Sequence, residues 1–168
     1  IVGMDKTVYG NSFDIIENKS PTYCFYHFDK SIGDYVKSTH LRETYEDFPT
    51  MMRADAGVFS TSNDIVKWII ALQSGKFLKN KSSLETMWQP VKLNNGKYDG
   101  FGGLLNGYAL GWPAIIRENH PGIAPIGGGR ASIAIYPKDD LAIILLTNLS
   151  GIPIEEMVDH ISKFYLSN

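Results

Sequence analysis

The residues of this chain that could do chemistry through their position are Gly127-Gly128-Gly129-Arg130. Three consecutive glycines let another backbone or a ligand approach where any Cβ would collide. Two readings follow. One is a bulge or bend at the start of a strand; the other is an edge-facing strand whose peptide N–H groups point into an active site and stabilise a developing oxyanion. Arg130 fits either. Side-chain nucleophiles are harder to find: no serine has a lysine three residues later, none sits between two glycines in a nucleophile elbow, and His-Glu-x-x-His is absent. Of the four histidines, His27, His40 and His160 read as surface or half-buried side chains. His120 stands apart because it precedes the glycine strand. It is expected near that strand on the substrate side, and not as the general base, since Pro121-Gly122 should turn the chain between them.

The elements that must position these residues begin with a hairpin. Arg130 to Tyr136 and Leu141 to Leu146 are β-branched and aromatic runs separated by Pro137-Lys138-Asp139-Asp140. Pro presets such a turn and Asp hydrogen-bonds its own backbone there, so the two runs should pair antiparallel. Leu141 to Leu146 is apolar at every position, which predicts a central strand covered on both faces.

Upstream, Thr22 to Phe28 and Asp34 to Ser38 read as a surface hairpin around a turn at Asp29 to Gly33, and His40 to Pro49 as irregular structure. Thr61 or Ser62 is placed to cap a helix whose apolar face is Ile65, Trp68, Ile69 and Leu72, with Asp64 near its positive end and Ser74-Gly75 as its stop. Ser82-Ser83-Leu84-Glu85 has capping-box spacing for a second helix closing before Pro90. Gly100-Phe101-Gly102-Gly103 is a glycine-rich loop without dinucleotide or phosphate-loop spacing. Tyr108 to Trp112 and Ala114 to Ile116 read as strand interrupted by Pro113. Pro153 opens a last helix, whose Ile154, Met157, Val158, Ile161, Phe164 and Tyr165 form an apolar stripe expected to lie on the sheet. The pattern is α+β: an antiparallel β-sheet flanked by helices, in a single unit over 1–168 with an irregular, hairpin-bearing segment 1–53 and the helices and core sheet in 54–168.

A chain of 168 residues with 16 basic and 18 acidic side chains, net charge −2, gives no electrostatic argument for nucleic acid or an anionic membrane surface. No apolar run reaches membrane-spanning length. A single cysteine, Cys24, excludes an internal disulfide and most cysteine-based metal sites, and no metal or cofactor is expected. The start at Ile1 suggests a processed or excised piece.

Four motifs resemble the C-terminal part of the β-lactamase-like serine hydrolases, the family of class C β-lactamases, D-alanyl-D-alanine peptidases and related esterases. They are Gly3-Met4-Asp5-Lys6-Thr7, the stretch Ala54 to Asp64, Gly107-Tyr108-Ala109-Leu110-Gly111-Trp112, and Gly127-Gly128-Gly129-Arg130 running through Tyr136-Pro137 to Leu146-Thr147-Asn148. The resemblance implies the C-terminal portion of a β-lactamase/penicillin-binding-protein-like fold. It also implies amide or ester hydrolysis through an acyl-enzyme, a periplasmic or secreted location, and nucleophile and tyrosine motifs lying N-terminal to the Gly-Met segment. Tyr9-Gly10-Asn11 imitates the tyrosine motif, but it follows Gly3-Met4 and is read as coincidence.

The third motif of such enzymes, Lys or His, then Thr or Ser, then Gly, aligns here with Pro125-Ile126-Gly127. The glycine is kept and both polar side chains are lost, so the complete protein is expected to have altered or absent activity. The resemblance places the N–H of Gly128 as one oxyanion-hole donor, with Gly129, Arg130 and His120 on the substrate side. The substrate would be a small or peptide-like molecule bound once the chain is completed by upstream sequence, its missing N-terminal half. A catalytically dead binding module is the alternative, motivated by Pro125-Ile126.

Overall fold

The computed structural model describes residues 2–11, 13–44, 56–127 and 130–166. In chain order the strands are β1 (Val8–Tyr9), β2 (Thr22–Asp29), β3 (Asp34–Thr44), β4 (Val58–Phe59), β5 (Gly107–Tyr108), β6 (Pro113–Ile115), β7 (Gly122–Ile123), β8 (Ile126–Gly127), β9 (Ala131–Tyr136), β10 (Leu141–Leu146) and β11 (Leu149–Ser150). The helices are α1 (Ser62–Gln73), α2 (Lys81–Trp88) and α3 (Ile154–Ser162). The protein is α+β, with antiparallel pairing throughout its main sheet.

β9 and β10 pair antiparallel as their residues predict, with Leu141 opposite Tyr136 and Leu146 opposite Ala131. This hairpin anchors a sheet ordered β10-β9-β7-β6-β5, with β8 also on β9. β10 is therefore the outermost described strand, which corrects its expected central place. Its first five residues are half-buried and Leu146 is 39% exposed. An apolar run reports which faces are covered, and α1 and α3 both pack against β10. It does not report whether a neighbour pairs along the edge. Ala134, Tyr136, Ile115, Ala124, Leu105 and Val158 form the core, against which Leu141, Ile143 and Leu145 pack.

Thr61 caps α1, its hydroxyl accepting from Asp64 N at 3.3 Å. Asp64 does more than complement the helix dipole. It is 2% exposed, and its carboxylate accepts from Lys6 N (2.8 Å), Thr7 Oγ1 (2.9 Å) and Lys67 Nζ (3.0 Å), while Lys67 also reaches the carbonyl of Gly3. Burial pushes its pKa up, but Lys67, Lys6 N and Thr7 outweigh that and hold it below the ordinary carboxylate value. Two sequence motifs fifty residues apart are thereby joined, and the pairing of β1 with β4 extends the joint. Trp68 of α1 stacks on Trp112 at 6.0 Å and Trp88 of α2 meets Trp112 edge-on at 5.8 Å, which fixes both helices to the turn before β6.

Other differences from the sequence reading have local causes. β3 runs on to Thr44 because a bulge between Cys24 and Tyr26 lets Cys24 pair with Arg42 and Thr22 with Thr44. Most β3 residues are exposed, so no burial period marks it. Among the described residues, the first 53 thus carry three strands. Residues 45–55, including Ala54 and Asp55, lie outside the described residues. α2 is capped by Asn80, whose Oδ1 accepts from Ser83 N at 2.9 Å. Ser82 consequently falls inside the helix, and the capping box does not form. Tyr108 to Trp112 is not one strand: Gly111 takes φ +79° and Ala109 N donates to Trp112 O, folding the stretch into the hairpin of β5 and β6, with Pro113 opening β6.

Pro153 is the cap of α3, with no side-chain capping bond. Ile154, Val158 and Ser162 are its fully buried face. Met157 (43% exposed), Phe164 and Tyr165 are not core: Met157 lies off the face made by Ile154, Val158 and Ser162, and Phe164 and Tyr165 follow the end of the helix at Ser162.

Candidate active site

Around the glycine strand, sequence and register together determine the geometry. β8 pairs antiparallel with β9, Ile126 opposite Ser132 and Gly127 opposite Ala131, and Ile133 N donates to Pro125 O at 3.2 Å. Pro125-Ile126-Gly127 therefore lies along β9 with its backbone committed to the sheet. Gly128 and Gly129, the candidate oxyanion donor and its neighbour, lie outside the described residues.

Arg130 sits at the start of β9, and its carbonyl accepts from Thr147 N at 2.9 Å. Its guanidinium is half-buried, and desolvation lowers its pKa from the usual arginine value. Nη1 lies 3.4 Å from Ser150 Oγ, a long contact. The chain leaving β10 closes the same end. Asn148 O accepts from Tyr23 N (2.7 Å), Asn148 Nδ2 reaches Ser20 Oγ (3.2 Å), and β11 runs parallel to β2 with Ser150 opposite Cys24. Thr147, Asn148, Ser150 and Ser20 thus gather with Arg130 at the glycine end of β9. The sequence reading did not single out these four as site residues. The available signal was the abrupt change from six apolar residues to Thr147-Asn148.

His120 is elsewhere. From Gly122 to Gly127 the chain runs antiparallel along β9, Ile123 opposite Ile135 and Gly127 opposite Ala131. His120 precedes that run, so it emerges beyond Tyr136, at the other end of the strand. The expectation that it lies near the glycine strand is corrected on this ground: a β-strand advances about 3.3 Å per residue, so six residues of β9 separate the two ends by roughly 17 Å. There Nδ1 of His120 lies 2.7 Å from Asp139 Oδ1, in the turn between β9 and β10. His120 takes φ +54°. Its carbonyl accepts from Arg117 Nε at 2.9 Å.

Arg117 in turn links this corner to α3. Its Nη1 donates to Asp159 Oδ1 at 2.7 Å, and Lys163 lies 3.2 Å from Asp159 Oδ2. The fully buried Tyr136 hydroxyl is 3.0 Å from Ser162 Oγ, which donates to Asp159 O at 2.7 Å. Burial raises the Asp159 pKa, but the hydrogen bonds and charges of Arg117 and Lys163 prevail and hold it below the carboxylate norm. Burial also pushes the Tyr136 hydroxyl up, so it stays protonated and works as a donor. These groups resemble catalytic parts by type, yet they are packed between a helix and a sheet, and their bonds hold α3 in place.

Among the described residues no group of three or more His, Cys, Asp and Glu side chains is placed to hold a metal ion, and no helix is long and apolar enough to cross a membrane. No curated protein matches the chain. A family model described as Beta-lactamase matches residues 19–161, a span that includes the α1 motif, the β5–β6 hairpin, the glycine strand and all but the last residue of α3. The chain belongs to the β-lactamase family and is a β-lactamase-related member of the serine hydrolases.

Proposed function

We propose that this chain supplies the C-terminal part of a serine hydrolase that cleaves an amide or ester through an acyl-enzyme, with the nucleophile and its base contributed by polypeptide outside residues 1–168. The observation that carries the reading is the antiparallel seating of Pro125-Ile126-Gly127 on β9 within a chain of this family. A strand so held can present the next peptide N–H, that of Gly128, toward a substrate carbonyl without help from any side chain. Gly129 and Arg130 follow on the substrate side. His120 falls outside the proposed site because of its bond to Asp139 at the far end of β9. The absence of Ser-x-x-Lys supports a nucleophile from elsewhere, since acyl transfer requires an activated nucleophile and a base within hydrogen-bond reach of it.

An alternative reading rests on one specific observation, the replacement of both polar third-motif residues by Pro125 and Ile126. Pro125 can carry neither charge nor a transferable proton, and Ile126 cannot hydrogen-bond a carboxylate. On that reading the family's cleft is retained for binding and catalysis is lost.

Hydrolysis of a chromogenic cephalosporin and of a p-nitrophenyl ester separates these readings, measured for the purified chain alone and mixed with the polypeptide encoded upstream of Ile1. The hydrolase reading expects turnover only in the mixture. Ligand binding by the mixture without turnover favours the binding module. Steady turnover by the chain alone, abolished by replacing one of its own serines, contradicts both.

A further inference from the structure

The glycine-rich loop before β5 builds a small pocket that the hydrolase reading does not use. Gly100 must be glycine: a Cβ there would lie 2.3 Å from Leu105 O and 2.7 Å from Gly107 N, so only a bare backbone fits against the start of β5. Gly102 and Gly103 take φ +89° and +58°, and Gly102 bridges to Leu105, turning the loop back on itself. The result is a shallow pocket of about 350 Å³ lined by Asp99, Gly100, Phe101 and Tyr108. It lies on β5, at the edge of the sheet opposite β10.

We propose that Asp99, Phe101 and Tyr108 bind a small organic ammonium group. Phe101 and Tyr108 meet edge-to-face, with ring centroids 5.6 Å apart at 72°, so they form two walls of a corner, and both remain exposed. Aromatic faces carry partial negative charge and attract ammonium ions. Asp99 adds a full negative charge to the corner. One of its carboxylate oxygens accepts from Gly100 N at 2.9 Å, and among the described residues it makes no ion pair. The same region already shows the chemistry within the protein, for Lys92 Nζ rests 5.5 Å from the ring centroid of its neighbour Tyr98. Two ring faces and a carboxylate favour a cation that is bulky and weakly hydrated over a neutral group of the same shape. The inference stands apart from the hydrolase reading and needs no turnover to be tested.

The test is a titration of the chain with tetramethylammonium chloride, followed through the aromatic resonances of Phe101 and Tyr108, with neopentyl alcohol as the neutral isostere and sodium chloride as the salt control. Saturable millimolar shifts with the cation alone are expected. Asp99→Asn and Phe101→Leu, both at exposed positions, should each weaken binding about threefold, the size of one exposed ion pair or cation–π contact. Equal shifts with neopentyl alcohol would reduce the site to an apolar patch and overturn the proposal. Shifts that do not saturate, or an affinity unchanged in Asp99→Asn, would overturn it as well.

Discussion

The two ends of β9 differ in how they use polar groups. The Tyr136 end carries a histidine–aspartate pair, an arginine, a buried tyrosine, a serine and a second aspartate, all bonded to one another. The Ala131 end carries Gly127 seated on Ala131 and a half-buried Arg130, with Thr147, Asn148, Ser150 and Ser20 around it. By residue type the Tyr136 end resembles an active site, yet it serves as a structural clamp. In the proposed function it is the Ala131 end that holds the catalytic donor. A side chain already bonded to protein partners is less free to meet a substrate, whereas a peptide N–H needs no special residue, only room.

The largest effect expected from breaking this contrast is at the clamp. Asp159→Ala removes the partner of Arg117 and Lys163 and should cost about 2 kcal/mol, less than a fully buried pair would because both cations are partly exposed. For a chain of this size that is a fall in melting temperature of roughly 4–8 °C, read by thermal unfolding. The same residue sets a pH dependence. The folded Asp159 pKa is lowered, so its stabilisation is present above the unfolded carboxylate pKa and is lost as pH falls through the lower folded value. Melting temperature should therefore drop on acidification below about pH 4, near the ordinary aspartate pKa, and the drop should be shallower in Asp159→Asn. Asp64 has a lowered pKa as well, so it leaves an acid slope of its own in that variant.

A smaller effect belongs to Tyr136→Phe. Loss of the hydroxyl removes its contact with Ser162, whose Oγ keeps its bond to Asp159 O, so the cost should be about 1 kcal/mol. Denaturant unfolding would show this as a shifted midpoint at constant slope. A change in slope would mean that α3 had come loose instead.

Legibility in the sequence followed the range of the interactions involved. The β9–β10 pairing could be read because β-branched runs flanking Pro and Asp carry local information, and α1 because Thr61 and Ile65, Trp68, Ile69 and Leu72 sit within a few turns of one another. The family was legible for the same reason, as four short motifs in order. The place of His120 was not, since only six residues separate it from Gly127 in sequence, yet an antiparallel strand carries them to opposite ends of β9. The place of β10 as the outermost described strand was hidden because hydrophobicity speaks of faces and says nothing of lateral pairing. Asn80 won the α2 cap from Ser82 by a bond that the capping-box spacing does not rank. Asp64 read only as a dipole charge because its partners, Lys6 and Thr7, lie more than fifty residues away.

In the proposed function, chemistry at β9 depends on a backbone donor at the glycine end and not on the histidine at the other. The direct measurement is kcat/KM for a p-nitrophenyl ester in the chain combined with its upstream polypeptide, comparing His120→Ala with a form in which the peptide bond at Gly128 N is replaced by an ester. Removing that N–H should lower kcat by about 10²–10³, the usual worth of one oxyanion-hole donor, while His120→Ala should leave kcat/KM within about twofold. Loss of turnover in His120→Ala, with the Gly128 ester form unaffected, would contradict that assignment.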